Sequence, residues 1–156
     1  MKIKLAETSG FCFGVKNAVD KTYAILDGRS ECTEGKKFMY GKLIHNSAVI
    51  DEMLEKGMSI ATSVDEIPEN STVVIRAHGV SPEVIKSLNQ KNCLVSDCTC
   101  PFVTKIHKIV KKACQEKKQI ILIGDHNHPE IEGINGECDY NALIFSKPEE
   151  VENYSF

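Results

Sequence analysis

No run of this sequence approaches the length and apolarity of a membrane span. The opening residues, Met1-Lys2-Ile3-Lys4-Leu5-Ala6-Glu7, hold too short an apolar run for a signal peptide. Charge of one sign does not accumulate either. The formal net charge is −3, which gives no general reason to expect nucleic acid as a partner. Low-complexity tracts and clear sequence repeats are also lacking. Cysteine, by contrast, is plentiful, with seven at positions 12, 32, 93, 98, 100, 114 and 138. An odd count without a secretion signal argues against a disulfide framework. It indicates a cytoplasmic chain whose thiols are kept for ligation or chemistry. The 156 residues, 42% of them hydrophobic, suffice for one full core, or for one small domain and part of a second.

Short apolar runs alternate with helical patterns. Strands are expected at 3–6, 38–40, 58–61, 73–75, 94–96, 120–123 and 143–145, and helices at 15–26, 47–56, 82–89, 101–117 and 129–135. Such alternation specifies parallel βαβ units in a layered α/β fold. A domain boundary is expected near Cys100. The final residues, Glu149-Glu150-Val151-Glu152-Asn153-Tyr154-Ser155-Phe156, read as a helix followed by a fresh strand cut short, the pattern of a truncated chain.

Within this frame the most telling stretch is Gly10-Phe11-Cys12-Phe13-Gly14. Cys12 is expected to be the last residue before a helix, where the helix dipole favours thiolate over thiol. The glycines admit close approach to the backbone, and the phenylalanines are expected to keep water away. A soft, dry turn of this kind suits an iron–sulfur cluster better than a disulfide. Cys100-Pro101 is a second recurrent ending of iron–sulfur binding runs. Cys98 lies two residues before Cys100, so in an extended segment its sulfur faces the opposite way. Cys100 is therefore preferred as ligand, and Cys98 as structural. Cys114 is read as core, and Cys32, Cys93 and Cys138 as packing or incidental thiols.

Three helix starts share one grammar: Ser81-Pro82, Cys100-Pro101 and His128-Pro129 place proline at the first helical position. Each follows a probable parallel strand, at the edge where open α/β sheets bind ligands. Facing helix N-termini there favour an anion such as a diphosphate; the plainer alternative is that these are merely good helix starts. Histidines gather at the same edge. His45-Asn46, Ala77-His78-Gly79 and His126-Asn127-His128 each end a βα turn, and imidazolium is a natural diphosphate partner and proton store. Glu130, two residues after His128, either stabilises the helix start or relays a proton. His107, among lysines within a helix, is expected at the surface. Lys105, Lys108, Lys111, Lys112, Lys117 and Lys118 are read as a solvated basic face, with docking of an acidic electron-transfer protein as the less favoured use.

Taken together, Gly10-Phe11-Cys12-Phe13-Gly14-Val15, His45-Asn46, Ala77-His78-Gly79-Val80-Ser81, Asp97-Cys98-Thr99-Cys100-Pro101-Phe102-Val103-Thr104-Lys105 and the Gly124 to Gly133 stretch with His128-Pro129-Glu130 closely resemble the 4-hydroxy-3-methylbut-2-enyl diphosphate reductase family. That family catalyses the last step of the non-mevalonate isoprenoid pathway. The resemblance implies a three-lobed α/β fold around a [4Fe–4S] cluster held by three cysteines. It also implies a two-electron reductive dehydroxylation that yields isopentenyl and dimethylallyl diphosphates. On this chain it makes Cys12 and Cys100 two of the cluster ligands. His45, His78 and His128 become diphosphate ligands, with His128 also near the proton path, and Glu130 becomes the proton donor. Ferredoxin or flavodoxin is the implied electron donor.

Members of that family are roughly twice as long, and their later half carries the third cysteine. Cys138, in Gly136-Glu137-Cys138-Asp139, does not match its context. The chain thus resembles the N-terminal half. It would comprise residues 1–13 as an N-terminal strand and cluster turn, 14–100 as a first lobe, and 101–156 as part of a second. Alone it is expected to be inactive and to hold its cluster poorly or not at all. Two other readings are a zinc hydrolase using His126 and His128, and a non-catalytic anion-binding lobe. The hydrolase leaves Cys12 and Cys100-Pro101 unexplained.

Overall fold

The computed structural model describes residues 2–7, 9–30 and 35–155. Helix α1 (Phe13–Leu26) leads into a four-stranded parallel sheet of β1 (Lys37–Tyr40), β2 (Met58–Ala61), β3 (Thr72–Ile75) and β4 (Leu94–Asp97), in the order β2-β1-β3-β4. Between the strands run α2 (Ser47–Glu55), a 3-10 turn (Val64–Glu66) and α3 (Pro82–Gln90). Helix α4 (Pro101–Gln115) then leads to a second, two-stranded parallel sheet of β5 (Ile121–Ile123) and β6 (Leu143–Phe145), joined by α5 (Pro129–Gly136) and followed by α6 (Pro148–Glu152). The expected α/β class and parallel βαβ units are those observed, with every observed end of the expected elements within two residues of its expected place. Cys32 lies outside the described residues.

Burial explains why these segments take these forms. Every residue of β3 is buried, as an interior parallel strand with both faces covered requires, and its Thr-Val-Val-Ile sequence is β-branched throughout. Its register, Val73 opposite Phe38 on one side and Val95 on the other, aligns the C-terminal ends of β1, β3 and β4. Below the sheet, Ala18, Val19 and Ile25 of α1 pack with Met39, Leu43, Met53 and Val74 in one core; Ile67, Val73, Ile75 and Leu88 form another. Each fully buried side chain of this size contributes about 1.5–3 kcal/mol relative to exposure. A smaller third core of Val110, Leu122, Ile134 and Cys138 lies under the second sheet.

Two expectations fail here. Residues 3–6 form no strand: no described strand pairs with them, and Ile3 and Leu5 are 75% and 88% exposed. An apolar run becomes a strand only when another strand satisfies its backbone, and none among the described residues does. His107 is not at the surface but 8% exposed. Val103, His107 and Val110 are the buried residues of α4, and that spacing is one helix face. Ile106, the neighbour of His107, is 39% exposed.

The structure also reveals a repeat too degraded for the sequence to display. Gly41 and Gly124 each donate an N–H to the carbonyl that ends the neighbouring strand, Ala61 at 2.7 Å and Phe145 at 2.9 Å. Each stands four residues before a histidine, His45 and His128. Thr62 and Ser146 then donate backbone N–H groups to Glu66 and Glu150, at 3.1 and 2.7 Å. The two sheets therefore deliver His45 and His128 from the same position of one βαβ plan.

Candidate functional site

The two candidate thiols occupy equivalent places. Cys12, in extended backbone, is the N-cap of α1 and Cys100 the N-cap of α4, and neither side chain makes a capping hydrogen bond. Both sulfurs thus sit at the positive end of a helix. The Cys100 N–H donates to the Ala77 carbonyl at 2.9 Å, which hangs the thiol from the strand end that leads to His78. A Cβ placed on Gly14 would lie 2.8 Å from the Cys100 sulfur, so only glycine there lets this sulfur rest on the first turn of α1, next to Cys12. Cys98 turns the other way, is 1% exposed in the first core, and burial pushes its thiol pKa up. Phe11 and Phe13 are 44% and 74% exposed. Within this chain they do not dry the turn.

The imidazoles come from three different turns. His45 precedes Asn46, the N-cap of α2, whose side chain accepts from the Val49 N–H at 3.2 Å. His78 follows β3, in a turn closed by Gly79 N–H donating to the Arg76 carbonyl at 3.0 Å. His128 caps α5: its Nδ1 accepts from the Glu130 N–H at 3.2 Å. A neutral His128 with Nδ1 as acceptor carries its proton on Nε2, as a donor for a ligand. The rings of His45 and His78 are 5.1 Å apart, and those of His78 and His128 5.5 Å apart. A cavity of about 250 Å³ lined by Phe11, Val15, Ile44, His45, Asn46 and His78 joins this cluster to the Cys12 turn.

Electrostatically the cluster disfavours a further positive charge on its central ring. The pKa of His78 is lowered, first by burial and then by His45, His128 and Arg76, with Glu130 opposing. Arg76 was not singled out from the sequence. It is half-buried, crosses over Gly41, and its Nε has no hydrogen-bond partner. Its position just before Ala77-His78 was the available signal.

Bringing His128 to His78 requires the two sheets to meet closely. A Cβ on Gly136 of α5 would lie 2.3 Å from Ser81 Cβ and 3.1 Å from its Cα. Ser81, the residue best suited to cap a helix, is 3% exposed and makes no capping hydrogen bond; it is a packing surface for α5. Gly136→Ala is therefore expected to cost about 1–3 kcal/mol, as overpacking against backbone does. It should also displace α5 and with it His128. Thermal unfolding together with diphosphate titration checks this, and native stability with native affinity would contradict it.

The remaining candidates are dispersed. His126 is half-exposed, and its Nε2 lies 3.8 Å from Glu150. Among the described residues, no group of three or more His, Cys, Asp and Glu is arranged to hold a metal ion by itself. The zinc reading built on His126 and His128 thus gains no third ligand among the described residues. Cys93 and Cys138 are buried, Cys114 is half-buried against the third core, and the six α4-region lysines are exposed.

One edge of a parallel α/β fold thus carries three imidazoles beside two thiols at helix N-cap positions. The chain matches the LytB protein family over residues 3–155 and belongs to that family. It is 38% identical, over all of its length, to 54% of a 4-hydroxy-3-methylbut-2-enyl diphosphate reductase of Clostridioides difficile (strain 630). It is 42% identical over 97% of its length to 23% of a protein of the same name from Clostridium acetobutylicum. In fold it is similar to the E-1-hydroxy-2-methyl-but-2-enyl-4-diphosphate reductase of Plasmodium falciparum, with TM-score 0.87 and 27% identity over 96% of this chain and 46% of that one. The solved (E)-4-hydroxy-3-methyl-but-2-enyl diphosphate reductase described as the terminal enzyme of the non-mevalonate pathway gives TM-score 0.78 and 34% identity, over 96% of this chain and 52% of that one. The chain spans about half the length of most of the relatives it matches.

Proposed function

We propose that this chain is the N-terminal half of a 4-hydroxy-3-methylbut-2-enyl diphosphate reductase. Residues 1–13 would form its cluster turn, 14–100 its first lobe and 101–156 the start of its second. The observation that carries this reading is the placement of His45, His78 and His128 within 5.1–5.5 Å of their ring neighbours, on the edge that also bears Cys12 and Cys100. Three imidazole donors converging on a concave edge suit the oxygens of a diphosphate.

The cysteines fit an iron–sulfur group as two of its thiolates: soft donors at helix N-termini, unencumbered by capping bonds. When bound, a [4Fe–4S] cluster supplies the electrons and Lewis acidity for loss of the substrate's hydroxyl. The chain's own residues bind and orient. His45 and His78 hold the diphosphate, His128 donates through Nε2, and Glu130, fixed at the first turn of α5, holds the proton that leaves with the hydroxyl as water. The exposed Phe13, Phe102, Ile3 and Leu5 suit a surface covered by the rest of the longer protein. A ferredoxin or flavodoxin is the proposed electron donor, and the cytoplasm the proposed location.

Inorganic diphosphate titrated into the 156-residue chain tests the anion half of this reading. The unliganded His78 has a lowered pKa, so a bound anion raises it and binding takes up a proton. Affinity is then expected to rise as pH falls through the bound-state value, and to level off below the free-state one. Calorimetry at about pH 6 and about pH 8, in buffers of different ionisation enthalpy, measures both affinity and proton uptake. Equal affinity at the two pH values, with no proton uptake, would count against the histidine site.

A further inference from the structure

One buried titratable group is left unused by this reading. His107 is 8% exposed, its Nδ1 lies 3.0 Å from Glu137 Oε1 at the C-terminal end of α5, and its Nε2 is buried without a partner. The ring occupies the seam between the two sheets. A Cβ on Gly79, the residue after His78, would lie 3.3 Å from its Cε1 and Nε2. A Cβ on Gly133, in the middle of α5, would lie 3.4 Å from the same Cε1. One imidazole thus touches the turn that carries His78 and the helix that carries His128.

Resting on the diphosphate reading above, we propose that His107 is a positioning residue: tied to Glu137 and wedged between Gly79 and Gly133, it sets the separation of His78 and His128 and so the span of the anion site. A buried histidine whose second nitrogen is unsatisfied carries a desolvation cost that an apolar residue would avoid. Its hydrogen bond to Glu137 and its planar fit against two glycines are what it contributes in return. The contact between His45 and His78 lies within the first sheet and does not depend on it; the contact between His78 and His128 does.

The test uses the 156-residue chain with inorganic diphosphate as the probe. In wild type, NMR is expected to show ring-to-ring cross-peaks for both histidine pairs. His107→Ala should lose the His78–His128 cross-peak and keep the His45–His78 one. Diphosphate affinity should fall roughly tenfold, the size of one charge-assisted hydrogen bond. His107→Asn, whose amide can still donate to Glu137, should recover part of both. Glu137→Ala, at a helix end, removes the tether while leaving the ring, and it decides the matter if His107→Ala does not fold. It should weaken the His78–His128 cross-peak and the diphosphate affinity while leaving the His45–His78 cross-peak. The proposal is overturned if the His78–His128 cross-peak and the affinity persist in His107→Ala, or in Glu137→Ala where that variant decides. A wild-type chain that fails to bind diphosphate would defeat the functional reading, while the cross-peaks would still decide the role of His107.

Discussion

Serine at Cys12 or at Cys100 in the full-length protein is expected to strip at least about nine-tenths of the iron and to abolish turnover, because a hard hydroxyl replaces a soft thiolate. Cys98→Ala should keep its iron, at a packing cost of about 1 kcal/mol or more for the lost buried sulfur. Anaerobic reconstitution followed by iron and sulfide analysis reads all three variants. Iron retained in Cys100→Ser and lost in Cys98→Ala would reverse the assignment within the Cys98-Thr99-Cys100 pair. Applied to the 156-residue chain alone, the same count of thiolates predicts no stable cluster and no reductase activity. Among the described residues, Cys93, Cys98 and Cys138 are buried in cores and Cys114 packs against one, so none is free to serve as a third ligand on the edge of Cys12 and Cys100. Anion binding without a cluster is the expected result for the isolated chain. Stoichiometric cluster with turnover would sink the half-enzyme reading.

Glu130→Gln in the full-length protein should slow turnover by about 10²–10⁴-fold while diphosphate binding stays near wild type. The amide keeps the shape of the side chain but cannot give up a carboxylic proton. The backbone N–H of Glu130 that donates to His128 Nδ1 is untouched by the change, so the orientation of that ring is preserved. His45→Ala or His78→Ala should instead weaken binding, by about 1.5–3 kcal/mol for each charge-assisted hydrogen bond lost. Steady-state kinetics separate the two outcomes: Glu130→Gln lowers kcat, whereas the histidine variants raise KM. Near-normal kcat for Glu130→Gln would remove the carboxylate from the proton path.

Much of the fold was legible in the chain because its signals are local. Proline at the first position of α3, α4 and α5 marked three helix starts, and β-branched runs marked β3 and its neighbours. The candidate edge was legible for the same reason: residues that follow parallel strands share one side of a sheet. Residues 3–6 were misread because strand formation depends on a partner, which a local apolar pattern cannot report. The GlyxxxHis repeat at Gly41 and Gly124 was missed because backbone hydrogen bonds maintain it through otherwise different side chains.

Local pattern along the chain was enough for the α/β class, the N-cap places of Cys12, Cys100 and His128, and the divergence of Cys98 from Cys100. Each follows from periodicity, capping or strand alternation within a few residues. The burial of His107, the packing of Ser81 in place of capping, and the meeting of His78 with His128 emerge in three dimensions. These depend on α5 pressing Gly133 and Gly136 against residues about 50 positions earlier in the chain. Close packing between distant segments is set by shape in three dimensions, and a linear pattern carries no record of it.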